Sequence, residues 1–97
     1  MTDAQKKQKQ FIEKCAKDTI GINLVVEYVP DVSMRVLEIT SKYSENIYNA
    51  YNAKHFTGTF IPQVGENPYY ILVQQKRNQQ LDVMTVYHEY QHVIDYV

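Results

Sequence analysis

Apolar positions along the chain change period several times, and each change marks an element. Between Asp3 and Ile20, residues Phe11, Ile12, Cys15, Ala16 and Ile20 recur at helical spacing; Asp3 can cap the start and Gly21 stops the run. "INLVVEYV", residues 22–29, is short, β-branched and closed by Pro30, which predicts a strand. From 31 to 55, Val36, Leu37, Thr40, Tyr43, Ile47, Tyr48 and Tyr51 recur every three or four residues and favour helix, with a break near Ser41. "TGTFIP" (57–62) and "YYILVQQ" (69–75) predict two strands, and Gly65, Asn67 and Pro68 suit the hairpin loop between them. Asn78 can cap a last helix, with Asp82 in its first turn. The order helix, strand, helix, strand, strand, helix predicts one α+β domain over residues 1–97. It would be a small, mainly antiparallel three-stranded sheet with helices packed on one face.

The last helix has two unlike faces. At about 100° per residue, with His88 set to zero, Val83, Val86, Tyr87, Tyr90, Val93, Ile94 and Val97 fall within an arc of about 120° almost opposite it. His92 lies about 40° from His88, Asp95 about 20° to the other side, Tyr96 about 80° away and Glu89 about 100° away. Two histidines four apart project from successive turns of one face, close enough to share an ion at about 2.0–2.1 Å. "HEYQH" is thus an HExxH pattern, with His88 and His92 as candidate zinc ligands. Glu89 points to the side, misses the metal and can serve as general base on a water activated there. The plainer alternative is that both histidines belong to the exposed side of an amphipathic helix. Tyr87 and Tyr90, on the apolar arc, are expected in the core.

Composition narrows the setting. A 44% hydrophobic, 22% charged chain with net charge −1 is ordinary for a globular domain and suggests neither a nucleic-acid scaffold nor a membrane-surface protein. The basic run "QKKQKQ" reads as a solvated helix face. Cys15 is the only cysteine, so no internal disulfide is possible and a reducing, cytoplasmic compartment fits. No apolar run is long enough for a signal peptide or a membrane span. Nine tyrosines and no tryptophan suit a thin core whose rings keep a wet polar tip.

Residues 57–97, from "TGTFIP" through "HEYQHVIDYV", resemble the core of the ImmA/IrrE-type metallo-endopeptidases, zincins often encoded near phages and mobile elements. The resemblance implies a zincin-like fold and zinc-dependent peptide hydrolysis, with His88 and His92 as ligands and Glu89 as catalytic base. It implies a peptide or protein substrate, and repressor-type regulators are the targets associated with that family. It also implies a third, acidic ligand on a helix beyond HExxH. The chain stops at Val97, before such a helix, so the expectation is a front portion of a longer enzyme with negligible peptidase activity of its own. Self-association through apolar surface is expected as well.

Within the chain, Asp95 could replace the missing ligand, accept a hydrogen bond from a ligand imidazole, or simply be solvated. His55 is a weaker candidate ligand. "TGTFIP" could be the sheet edge that takes a substrate strand, with Gly58 leaving room and Pro62 ending the run, or an ordinary hairpin arm. From another class altogether, the alternative is a non-catalytic protein-interaction module on a degenerate zincin-like fold.

Overall fold

The computed structural model describes residues 2–41, 57–63, 65–75 and 79–97. Helix α1 spans Asp3–Cys15 and continues into a π-helical turn, Ala16–Ile20, which Gly21 ends in the left-handed region at φ 66°. Strand β1 is Leu24–Val29, helix α2 Val32–Thr40, strand β2 Gly58–Ile61, strand β3 Tyr69–Gln74 and helix α3 Gln79–Tyr96. Tyr43, Ile47, Tyr48, Tyr51, His55 and Asn78, all used in the sequence reading, lie outside the described residues. Among the described residues no helix is long and apolar enough to cross a membrane.

The cap of α1 is Thr2 rather than the expected Asp3. Thr2 Oγ1 accepts from the Gln5 backbone N–H at 3.2 Å, and Gln5 Oε1 accepts from the Thr2 N–H at 3.0 Å. This reciprocal pair satisfies two donors that a helix start leaves open, which a single carboxylate one residue later cannot do. Asp31 caps α2 by accepting from the Met34 N–H at 3.1 Å. The expected break near Ser41 is where α2 ends, with Ser41 as its C-cap.

The sheet is mixed, not mainly antiparallel. Its order is β1-β3-β2, with β1 parallel to β3 and β2 antiparallel to β3. Consecutive β2 and β3 form the expected hairpin, turning through Gly65 at φ 60°. β1 joins by a crossover that includes α2, and such a connection delivers a parallel neighbour.

The helices also cover both faces, where one was expected. Leu24, Val26, Ile71 and Val73 pack on Ile12, Ala16, Val86 and Val93 from the side of α1 and α3. Val29, Ile61 and Leu72 pack on Val32, Val36 and Ile39 of α2 from the other side. Central β3 is therefore apolar on consecutive residues, Ile71, Leu72 and Val73 all being buried, as a strand covered on both faces requires.

Polar side chains lock α1 in place. Gln8 is buried, donates from Nε2 to the Val83 carbonyl at 3.1 Å and accepts at Oε1 from Tyr28 Oη, so one amide ties α1 to both α3 and β1. Phe11, expected on the apolar side of this helix, is instead 58% exposed, because the face turned inward is that of Gln5, Gln8 and Ile12. On the opposite face Arg35 grips Glu27 through Nε and Nη2 at 2.6 and 2.9 Å. That hydrogen-bonded fork raises the guanidinium above its ordinary pKa against the opposing effect of burial.

α1 also closes one edge of the sheet. In a parallel pair alternate residues face the partner strand, and Asn23 and Val29 carbonyls accept from Tyr69 and Gln75 of the β3 side. Val26 therefore turns both its backbone groups outward. Its N–H donates to Glu13 Oε2 at 2.8 Å and its carbonyl accepts from Lys9 Nζ at 2.9 Å, while Lys9 and Glu13 are themselves paired. Two side chains thus do for the edge what a further strand would do. Glu13→Ala is expected to cost about 1.5–3 kcal/mol in a urea melt, as a hydrogen bond to a charged acceptor is lost, and to raise self-association in light scattering. Glu13→Gln, which keeps an acceptor oxygen, should lose less; equal losses in the two variants would show that the backbone contact contributes nothing.

Candidate metal centre

α3 lies across the sheet with Val86 and Val93 fully buried beneath it. The packed face is not centred where the apolar arc predicts. Val86 and Val93 sit at about 160° and 140° from His88, and the next well-buried side chain is Glu89 at about 100°. The helix is rolled toward its glutamate, so Tyr87 and Ile94 are exposed at 49% and 41%. Tyr87 is therefore not a core residue as expected, whereas Tyr90 does pack against the cluster of α1 and α3.

Gly58 is the physical reason for the roll. A Cβ on this residue would lie 2.4 Å from Thr85 Cγ2, 3.2 Å from the Leu72 carbonyl oxygen and 3.5 Å from Glu89 Cγ. Thr85 and Glu89 are one turn apart, and both come down onto the start of β2 only because no side chain stands there. With this contact made, the Glu89 side of the helix turns inward and the histidines are carried to the rim.

His88 and His92 are both exposed, and Glu89 is buried beside them. The imidazole planes are perpendicular, 4.6 Å apart at their centroids, and the two Nε2 atoms approach to 3.1 Å. Two donors held about 2.0–2.1 Å from one tetrahedral zinc are separated by about 3.3 Å, so the imidazole pair already has nearly the required spacing. With one Glu89 carboxylate oxygen included, all three donor atoms fall within 4.8 Å of one another. Imidazole nitrogens are donors of a type that suits zinc among other divalent metals.

The remaining sequence candidates sit elsewhere. Asp95 is exposed, accepts from Gln91 Nε2 at 3.0 Å and does not join the donor group. Tyr96 lies toward the sheet: its ring is 5.8 Å from that of Phe60 and 6.4 Å from that of Tyr69. Phe60 also stacks on His92, a contact the sequence reading missed. Strand alternation was the available signal, since it places Phe60 on the same sheet face as Gly58, toward the HExxH helix.

β2 is an outer strand of the sheet, as the substrate-edge reading requires. The Gln74 N–H donates to the Thr57 carbonyl, so Thr59 and Ile61 also face β3, and the backbone groups of Gly58 and Phe60 point away from it; Gly58 is nonetheless buried, and the Phe60 carbonyl accepts from Thr59 Oγ1 at 3.4 Å. A separate concavity, lined by Ile39, Thr40, Ile61, Pro62, Asn67, Pro68 and Tyr70, has neither carboxylate nor imidazole. Comparison with protein-family models, curated proteins and solved structures finds no match to this chain.

Gly58→Ala should destabilise the fold by about 1–3 kcal/mol, the usual range for forcing an extra methyl into a packed contact. Thr85→Ser removes the methyl it would strike, so the double variant should recover at least half of that loss in chemical denaturation. Strict additivity of the two substitutions would show that the helix does not rest on Gly58.

Proposed function

We propose that this chain carries the metal-binding half of a zincin-like site of the ImmA/IrrE type, working in zinc-dependent peptide hydrolysis. The observation that supports this most is the 3.1 Å approach of the two Nε2 atoms on an exposed helix face, with a buried carboxylate one residue along. His88 and His92 would hold the ion through Nε2. Zinc in such a place supplies Lewis acidity, polarising a peptide carbonyl and lowering the pKa of a water towards about 7. Glu89 would take the proton from the attacking water on its carboxylate and deliver it to the departing amide nitrogen. β2 is an outer strand of the described sheet and runs alongside, which is where an extended peptide would add.

A full catalytic shell has three protein ligands and an open position. The two imidazoles are therefore read as part of that shell, with Glu89 kept for proton transfer. The single thiol, which leaves no internal disulfide within this sequence, supports a cytoplasmic setting. A second reading, a non-catalytic interaction module, is favoured by one observation: Met84, Tyr87 and Ile94 are all exposed on α3.

Calorimetric titration of zinc into the 97-residue chain separates the two. The expected outcome is one-to-one binding, weakened more than about 100-fold by His88→Ala or His92→Ala, beyond what losing an outer partner costs. Glu89→Gln should leave binding within a few-fold and abolish any hydrolysis of peptide. A wild-type chain that takes up no zinc leaves the interaction module as the better account.

A further inference from the structure

Metal-binding histidines are ordinarily oriented by a hydrogen bond from their second ring nitrogen to a carboxylate or a carbonyl. His92 has no such bond among the described residues; its one hydrogen-bond contact is the Nε2 approach to His88. Its ring is held by something else. Phe60 lies against one face, with ring centroids 6.2 Å apart and planes only 20° from parallel. His88 meets the same ring at 90°.

Phe60 can serve in this way because it is itself immobilised. It projects from β2 and packs against the core cluster shared by α1 and α3. Tyr96, one turn beyond His92 on α3, tilts against the Phe60 ring at 59° and leans in turn on Tyr69 of β3. The three rings link the sheet to the last turns of the helix. An imidazole on an exposed helix face otherwise samples several rotamers, and freezing them on metal binding costs free energy. Stacking removes part of that cost before an ion arrives.

Resting on the zinc reading above, we propose that Phe60 is a positioning residue for His92, replacing the usual polar partner with an aromatic face. Aromatic contacts of this kind correspond to roughly three- to tenfold in an equilibrium constant. Among the described residues nothing comparable touches His88, whose one ring contact there is with His92. The two ligands are therefore unequal: His92 is pre-set and His88 follows it.

The test uses the 97-residue chain, zinc alone as the probe, and the variants Phe60→Leu and Phe60→Tyr. In the metal-free wild type, proton NMR should show cross-relaxation between the Phe60 and His92 rings, and its absence overturns the proposal without any variant. Phe60→Leu should erase the ring-current displacement of the His92 carbon-bound protons and weaken zinc binding three- to tenfold. Phe60→Tyr, which keeps the ring, should preserve both. Zinc uptake equal in wild type and Phe60→Leu overturns the positioning role while leaving the metal site standing. No uptake by the wild type overturns the metal site, and the positioning of a ligand with it. If Phe60→Leu loses its folded amide spectrum, the wild-type cross-relaxation and the Phe60→Tyr titration decide the matter.

Discussion

The bare backbone of Gly58 under Thr85 is the contact from which the arrangement of the site follows. A helix crossing a sheet ordinarily stands off by the side chains that both surfaces bring to the contact. Where one layer is missing, the helix can drop and roll. Here the roll sets Glu89 down onto the edge strand and lifts His88 and His92 to the rim. A carboxylate in a tight, partly dry place and two imidazoles facing solvent are two environments produced by one contact.

Much of this was legible in the residues, and the exceptions have physical reasons. Helical spacing located α1, α2 and α3, and β-branched runs bounded by Pro30, Pro62 and Pro68 located the strands. The HExxH spacing identified the donor group, since i and i+4 positions on a helix converge in any surroundings. The direction of β1 was not legible, because a strand's own pattern does not reveal whether its partner runs with it or against it. Yet "YYILV" has no polar alternation, and an uninterrupted apolar run of that kind is how a strand covered on both faces reads. The roll of α3 was hidden for a different reason: the arc of apolar residues marks what can be buried, while Gly58, some thirty positions away in sequence, decides what is. Glu89 is buried and Tyr87 exposed against the ordinary preference of each side chain. Such reversals are expected where a site takes precedence over packing.

The two outer strands of the sheet are treated differently. On β1 a lysine and a glutamate from α1 occupy the outward N–H and carbonyl of Val26, so the backbone there has its partners within the chain. On β2 the groups of Gly58 and Phe60 point away from β3, with Gly58 buried under α3 and the Phe60 carbonyl accepting from the neighbouring Thr59 hydroxyl. An exposed edge invites pairing with any extended segment, and proteins commonly blunt the edges they do not use.

The parallel pairing of β1 with β3 also bears on how the chain reaches this state. Partners such as Leu24 and Tyr69 differ by 45 in number, whereas β2 and β3 meet through a short turn. Closing the longer loop is the entropically expensive event, and contacts of large sequence separation slow folding. A hairpin of β2 and β3 can therefore assemble while β1 is still loose, and the half of the core contributed by Leu24 and Val26 would be sealed last. The donor-bearing helix packs chiefly on β2 and β3 of that hairpin, with Thr85 and Glu89 set on Gly58, so its seating need not wait for β1.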